Sequence, residues 1–453
     1  MIGRSRSFLP RHAPLRFAQG RLRPPLHNHG YNLLMRGLIA GCLLLLLCEH
    51  SASQGNNAAA NFKTAVTVPA NIDHNRVVIR GELRLPDGSM QTIRVWVDNG
   101  NPDLEMSRRV ATLLGLQVKC GDQECTSPPP STLVIGGLSL PLSEVNEAKI
   151  PLLPVDQASV LALGLDAEMN LPSSVLRHYD VLVDFVDRKF SIGPPGSIRF
   201  RGPSGKVLIN AGNGLIQVPS QIEGKKYNLA LDVGSCISFL SEQLFDKMAA
   251  THADWPRMTG AVGSANMWGA PEEAKWNIMR LDRLQFGPLF FTNAAVVSLP
   301  KSTLDFFEKR VGTPTVGVVG SSLLRNYRLG IDYAHSMVYY ELGRPYNFPD
   351  FDVVGLILRP ERDGQFTILG VADFEGKPSI PVGNGGVQPG DHLFAVNDLP
   401  VEGISMGQVW SLLGGIPDKE KKLTIERGGQ QFHVLAKVQH FLGEAPEAKT
   451  GKK

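Results

Sequence analysis

Two aspartates of this chain occupy the same local setting. Asp98 closes an apolar run in "VWVDNGNPDLEMS" (95–107), and Asp232 closes another in "LALDVGSCISFLS" (229–241). Each is followed two residues later by a glycine, Gly100 or Gly234, and nine residues later by a serine, Ser107 or Ser241. Two carboxyl groups held a few ångströms apart resist ionising together, so one stays protonated while the other is charged. The charged member can take a proton from water and the protonated member can donate to a carbonyl oxygen. Together they can hydrolyse an amide without a metal or a covalent intermediate. Glycine beside each aspartate allows a sharp turn and a close approach by the opposite loop. In a single Asp-x-Gly turn, the carboxylate ordinarily just binds nearby amides. Two such turns in one register call for a shared explanation.

The elements around the aspartates repeat as well. "SSVLRHYDVLVDF" (173–185) aligns with "SSLLRNYRLGIDY" (321–333) at a constant offset, with identical Ser, Ser, Leu, Arg, Tyr and Asp. "LVIGGL" (133–138) likewise resembles "LQFGPL" (284–289), a strand–glycine turn–strand pattern. Alternating apolar runs broken by Gly, Pro and Asp-Gly turns predict two β-rich lobes, over 75–195 and 206–343. Ser107 and Ser241 are expected to cap short helices in "SRRVATLLGL" and "SEQLFDKMAA". "GPPGSIRFRGPSG" (193–205) and "LGRPYNFPDFD" (342–352) read as connectors, a third unit follows over 352–440, and 441–453 reads as a disordered tail.

At 453 residues, 43% hydrophobic and 20% charged, the chain has room for several packed domains. Its formal charge of +3 is dominated by residues 1–53, whose seven arginines stand against Glu49 alone. The remainder is slightly acidic, which does not favour nucleic acid as a partner. "GLIAGCLLLLLC" (37–48), preceded by arginines, suits the apolar core of a secretory signal with cleavage after Ser53, and Met35 could begin a compact signal by itself. Export to the periplasm, cell envelope or medium is the expectation. Membrane attachment enters only if the signal stays uncleaved or Cys42 is lipidated. In an oxidising compartment Cys120 and Cys125 of "CGDQEC" could close a small disulfide, with zinc as the competing reading, although no second ligand pair supports a metal. Cys236 reads as a buried thiol.

The paired Asp-x-Gly turns and the "VGVVGSSLLRNYRLGIDY" segment (316–333) resemble the pepsin/retropepsin superfamily of aspartic peptidases, in a two-lobed bacterial form. That resemblance implies a mainly β fold of two duplicated acid-protease barrel lobes, with Asp98 and Asp232 as the catalytic dyad. Asn99, Gly100, Val233, Gly234 and Ser235 would form the active-site loops. No cofactor is implied. The family usually carries Thr or Ser between Asp and Gly, where the hydroxyls bond across the two loops. Here Asn99 keeps a donor and an acceptor, while Val233 keeps only the shape of Thr. "NLP" (170–172) stands opposite "VVG" (318–320), where an apolar-apolar-Gly element is expected in both copies. "GAVGSANMWGAPEEAKW" (260–276) reads as a mobile loop over the cleft, with Trp268 at its tip.

"GVQPGDHLFAVNDLPVEGIS" (386–405), with "MGQVWSLLGG" (406–415) and "KLTIERGGQQFHVLAKV" (422–438), resembles a PDZ domain. The resemblance implies an edge strand that accepts an extended peptide or a protein C-terminus, with Gly355, Leu356, Ile357 and Leu358 of "VVGLILRP" as the peptide-binding residues. The other reading of such a unit is packing within the molecule only. "HNH" (27–29) lies in the leader, and "GNGG" (383–386) lacks the serine of a serine-protease loop. The expected function is therefore an exported aspartic endopeptidase acting on peptide or unfolded protein recruited by the PDZ domain. The alternative is a catalytically degenerate peptide-binding or scaffold protein using the same cleft and edge.

Overall fold

The computed structural model describes residues 64–121, 124–152, 160–162, 164–343 and 350–443. The leader (1–53), residues 344–349 of the second connector and residues 444–453 of the expected tail lie outside the described residues, whereas the tail's first residues are not disordered: Phe441 and Leu442 are buried in an apolar core. Among those described, no helix is long and apolar enough to cross a membrane. The chain is mainly β, built on sheets of eleven, eight, six and four strands with two small two-stranded sheets.

Period-two burial explains the strands. In Met90–Asp98, Ile93, Val95 and Val97 face inward with almost no exposure, while Arg94 and Trp96 lie on the other face. Asp98 belongs to that second face. It is nevertheless only 3% exposed, because the strand runs out of its own sheet into the junction with the second half.

The eleven-stranded sheet joins the halves. Strand Asp180–Asp184 of the first pairs antiparallel with Tyr327–Asp332 of the second, in a register that sets Asp180 against Asp332, Leu182 against Gly330 and Asp184 against Arg328. Leu182 and Gly330 are equivalent positions in the repeated segments, so the pairing is symmetric about them. The first half begins earlier than residue 75: strand Val66–Asp73 pairs with both Lys189–Gly193 and Arg76–Arg84. The first connector is not purely a linker either, since Ser204–Lys206 adds a strand beside Met337–Leu342. One apolar core runs through both halves, from Val77 and Val95 to Leu329 and Tyr340.

The C-terminal residues form a six-stranded sheet whose main path begins with Leu356–Pro360 and Phe366–Val371, continues through His392–Val396, and ends in the hairpin Glu420–Arg427 and Gln430–Lys437. Helix Met406–Leu413 packs beside it behind a capping box made by Ser405 and Gln408. This unit shares a second apolar core with the second half, in which Ile237, Phe239, Ala261 and Val262 join Val354, Leu356, Leu358 and Val409.

Candidate active site

Both aspartates stand at the ends of strands, Asp98 after Val97 and Asp232 after Leu231, and each strand receives a parallel neighbour at the same offset. Leu171 pairs with Val97, and Val319 pairs with Leu231. "NLP" therefore does stand where "VVG" stands, as the alignment of the segments required. The surrounding bonds recur too. Ser173 N–H donates to Asn101 O at 2.9 Å and Ser321 N–H to Ser235 O at 2.9 Å. Ser107 N–H donates to Glu168 O and Ser241 N–H to Val316 O, both at 2.7 Å. Ser107 caps the helix Arg108–Leu113 and Ser241 caps Glu242–Thr251, each accepting from an N–H three residues on.

The two aspartate turns face one another. A Cβ placed on Gly100 would overlap the Asp232 carboxylate, and one placed on Gly234 would overlap Asp98 Oδ1. Glycine is required at both positions by proximity, not by dihedral angle. Between the turns, Asn99 is fully buried and makes two bonds across the junction. Its Oδ1 accepts from Val233 N–H at 2.7 Å, and its Nδ2 donates to Leu231 O at 3.0 Å. Val233, also fully buried, returns no side-chain bond, and its carbonyl instead accepts from Ser321 Oγ at 2.9 Å. The bridge is thus one-sided, with a single amide serving as donor and acceptor. Ser235 gives its N–H to Asp232 Oδ1 and its hydroxyl to Ile237 O.

No protein-family model matches the chain, and no curated protein sequence matches it. The chemistry of the site must be read from its own groups.

Burial raises the Asp98 carboxyl well above the ordinary carboxylate range, and the neighbouring Asp232 and Glu105 add to the shift. Burial also raises Asp232, to about 6, against the opposing bonds from Gly234 and Ser235 N–H. Two N–H groups favour the charged form of Asp232, at 2.7 and 3.2 Å from Oδ1, and bonds from Asn170 and Gly100 do the same for Asp98, which also has the Glu105 carboxyl nearby. The pair gives up its protons in two coupled steps, both displaced upward by burial.

Sequence reasoning did not single out several groups that shape this arrangement. Asn170 is fully buried, accepts from Glu105 N–H at 2.7 Å, donates to Asp103 O at 2.9 Å, and also bonds the Asp98 carboxyl. Its signal was a polar residue opposite Val318 in an otherwise apolar repeat position. Glu105 is bonded by Asn101 Nδ2 at 3.0 Å, and Arg310 reaches from the second half to Asp103 at 2.6 Å. Nothing in the spacing pointed to these.

Other residues singled out in the sequence lie elsewhere. Cys120 and Cys125 are joined in a disulfide within the small four-stranded sheet, and Cys236 is a buried free thiol in the turn before its strand. Gly355 precedes the edge strand of the C-terminal unit, where a Cβ would overlap Ser379 Oγ, and Leu356, Ile357 and Leu358 are all essentially buried. The 260–276 segment is not a free loop. Ala261, Val262, Ala265 and Asn266 are buried, and Trp268 stacks on Phe239 and meets Trp276 edge-on. Its glycines provide close packing against the C-terminal unit, which the composition alone could not distinguish from mobility.

Proposed function

We propose that the chain is an aspartic endopeptidase in a two-lobed, pepsin/retropepsin-like arrangement, with a PDZ-like C-terminal unit. The observation that carries this reading is the reciprocal packing of the two Asp-x-Gly turns, each glycine lying against the opposite aspartate. The recurrence of strand pairings and serine bonds at constant offset supports duplicated lobes. In the mechanism that follows, the ionised member of the Asp98/Asp232 pair takes a proton from a water molecule held between the carboxyls. The resulting hydroxide attacks the peptide carbonyl carbon while the protonated member delivers its proton to the carbonyl oxygen. Collapse of the tetrahedral gem-diol breaks the C–N bond. The first carboxyl gives its proton to the leaving amine, and the second recovers one from the gem-diol. No co-reactant beyond water is consumed.

Reduced, alkylated casein incubated with the chain from residue 54 between pH 3 and 8 tests the reading. Cleavage that stops in both Asp98→Asn and Asp232→Asn, and is blocked by a statine-type transition-state mimic, is the expected result. Folded protein that cleaves nothing at any pH would overturn it. The second reading is a peptide-binding protein that has lost hydrolysis, and the absent hydroxyl at Val233 is what favours it. Export, suggested by the leader alone, belongs to the same proposal.

A further inference from the structure

One edge of the C-terminal sheet is its first strand, Leu356–Pro360, which pairs on one side with Phe366–Val371. Its other side is occupied by a segment of the second half. Asn266 Oδ1 accepts from Leu358 N–H at 3.0 Å and its Nδ2 donates to Leu358 O at 2.9 Å, so one amide side chain satisfies both backbone groups as a paired strand would. The segment runs beside the chain from Asp350, before the strand, to Pro360 at its end. Gly263 lies against Asp350 and Val353, and a Cβ on Gly269 would stand 2.6 Å from Pro360 Cδ and 2.8 Å from Arg359 Cα. Both glycines also have left-handed backbones, with φ of 56° and 69°. Fully buried Glu273 fastens the segment from behind, accepting from Trp268 N–H at 2.8 Å, from Gly269 N–H at 3.1 Å and from Asn266 Nδ2.

The residue next to Asn266 reaches the other way. Met267 Sδ accepts from Cys236 N–H at 3.2 Å and lies 3.8 Å from Ser235 Oγ, in the turn whose amides bond Asp232. Adjacent residues of one short segment therefore touch the sheet edge and the Asp232 turn. We propose that Gly263–Gly269 is an internal ligand of the Leu356–Pro360 edge that couples the occupancy of that edge to the position of the Asp232 turn. An extended peptide that pairs with the edge must first displace Asn266, and in doing so withdraws Met267 from Cys236. This rests on the contacts alone and needs no hydrolytic activity, so its failure is distinct from failure of the peptidase reading.

Amide hydrogen exchange on the full chain from residue 54 tests the coupling, with Asn266→Ala and Met267→Ala beside the wild type. Asn266→Ala is expected to speed exchange at Leu358 at least about tenfold and to speed Cys236 with it. Met267→Ala should speed Cys236 and, because coupling between two sites is reciprocal, Leu358 as well. In the wild type, the amides of Leu358, Cys236, Trp268 and Gly269, corrected for their intrinsic exchange rates, should report one common opening free energy, a measurement that stands even if a variant fails to fold. Unchanged Leu358 in Asn266→Ala, a change at only one of Leu358 and Cys236 in either variant, or unrelated wild-type opening free energies would each overturn the proposal.

Discussion

At the residue scale, Asn99 carries work that two hydroxyl side chains would otherwise divide. Its amide holds Val233 N–H and Leu231 O at once, both deep in the junction. Asn99→Ala leaves those two backbone groups without partners, and a buried orphan costs about 1–3 kcal/mol. A lower urea midpoint, with a larger fractional loss of any casein cleavage than Ser107→Ala produces, is the expected outcome. The aspartates act in the opposite sense on stability. Their carboxyls titrate higher folded than unfolded, so the folded state binds more protons, and the advantage present at low pH is lost as pH rises through the folded values. For Asp232 that window runs from its unfolded value up to about 6. Asp232→Asn should therefore match the wild-type melting temperature at pH 3.5 and exceed it at pH 7.5, by an amount worth up to about 3 kcal/mol. Melting curves at the two pH values decide this. A gap that does not widen with pH refutes the burial argument.

At the element scale, the two helices that follow the aspartate turns start at Ser107 and Ser241, each capping through its hydroxyl. Removing either hydroxyl should cost about 1 kcal/mol, read as a shift in the denaturant midpoint. The turns themselves are less forgiving. Gly100→Ala or Gly234→Ala places a methyl where the opposite carboxyl stands, and the halves must part to admit it. Either variant should lose cleavage while keeping its far-UV circular dichroism spectrum, since the clash is confined to the junction. The same geometry sets the pH profile of the proposed reaction. Activity should rise as the pair loses its first proton, and fall again at higher pH once it loses the second. Initial rates measured at 0.5-unit steps (about that spacing suffices to resolve two single-proton limbs) check both arms.

At the scale of the whole molecule, the three units are not beads on a string. The halves share a sheet and a core, and the C-terminal unit completes a second core with residues of the second half. Ending the chain at residue 343 uncovers Ala261, Val262 and Ala265, all fully buried in the intact protein. Exposed apolar surface of this kind favours association. The truncated chain is expected to melt lower than the full one and to aggregate, whereas independent modules would leave the first transition unmoved. Scanning calorimetry of the two chains separates the outcomes.

Much of the local plan was already in the sequence, because it depends on short-range periodicity. Alternating apolar residues gave strands, Ser107 and Ser241 gave helix starts, and the shared Asp-x-Gly spacing marked Asp98 and Asp232 together. The constant offset between "SSVLRHYDVLVDF" and "SSLLRNYRLGIDY" even anticipated equivalent places for the two segments. Only the tertiary structure decided what required distant residues to meet. The Asn99 bridge spans 134 positions, and the Asn266–Leu358 pairing spans 92. The first half of strand Val66–Asp73 is fixed by Lys189–Gly193, far along the chain, and the glycine-rich 260–276 segment, which composition makes look mobile, is held by a surface supplied much later in the chain. Spacing can record which residues repeat. It cannot record which backbone groups find each other once the chain has closed, because that is set by the packing of whole sheets.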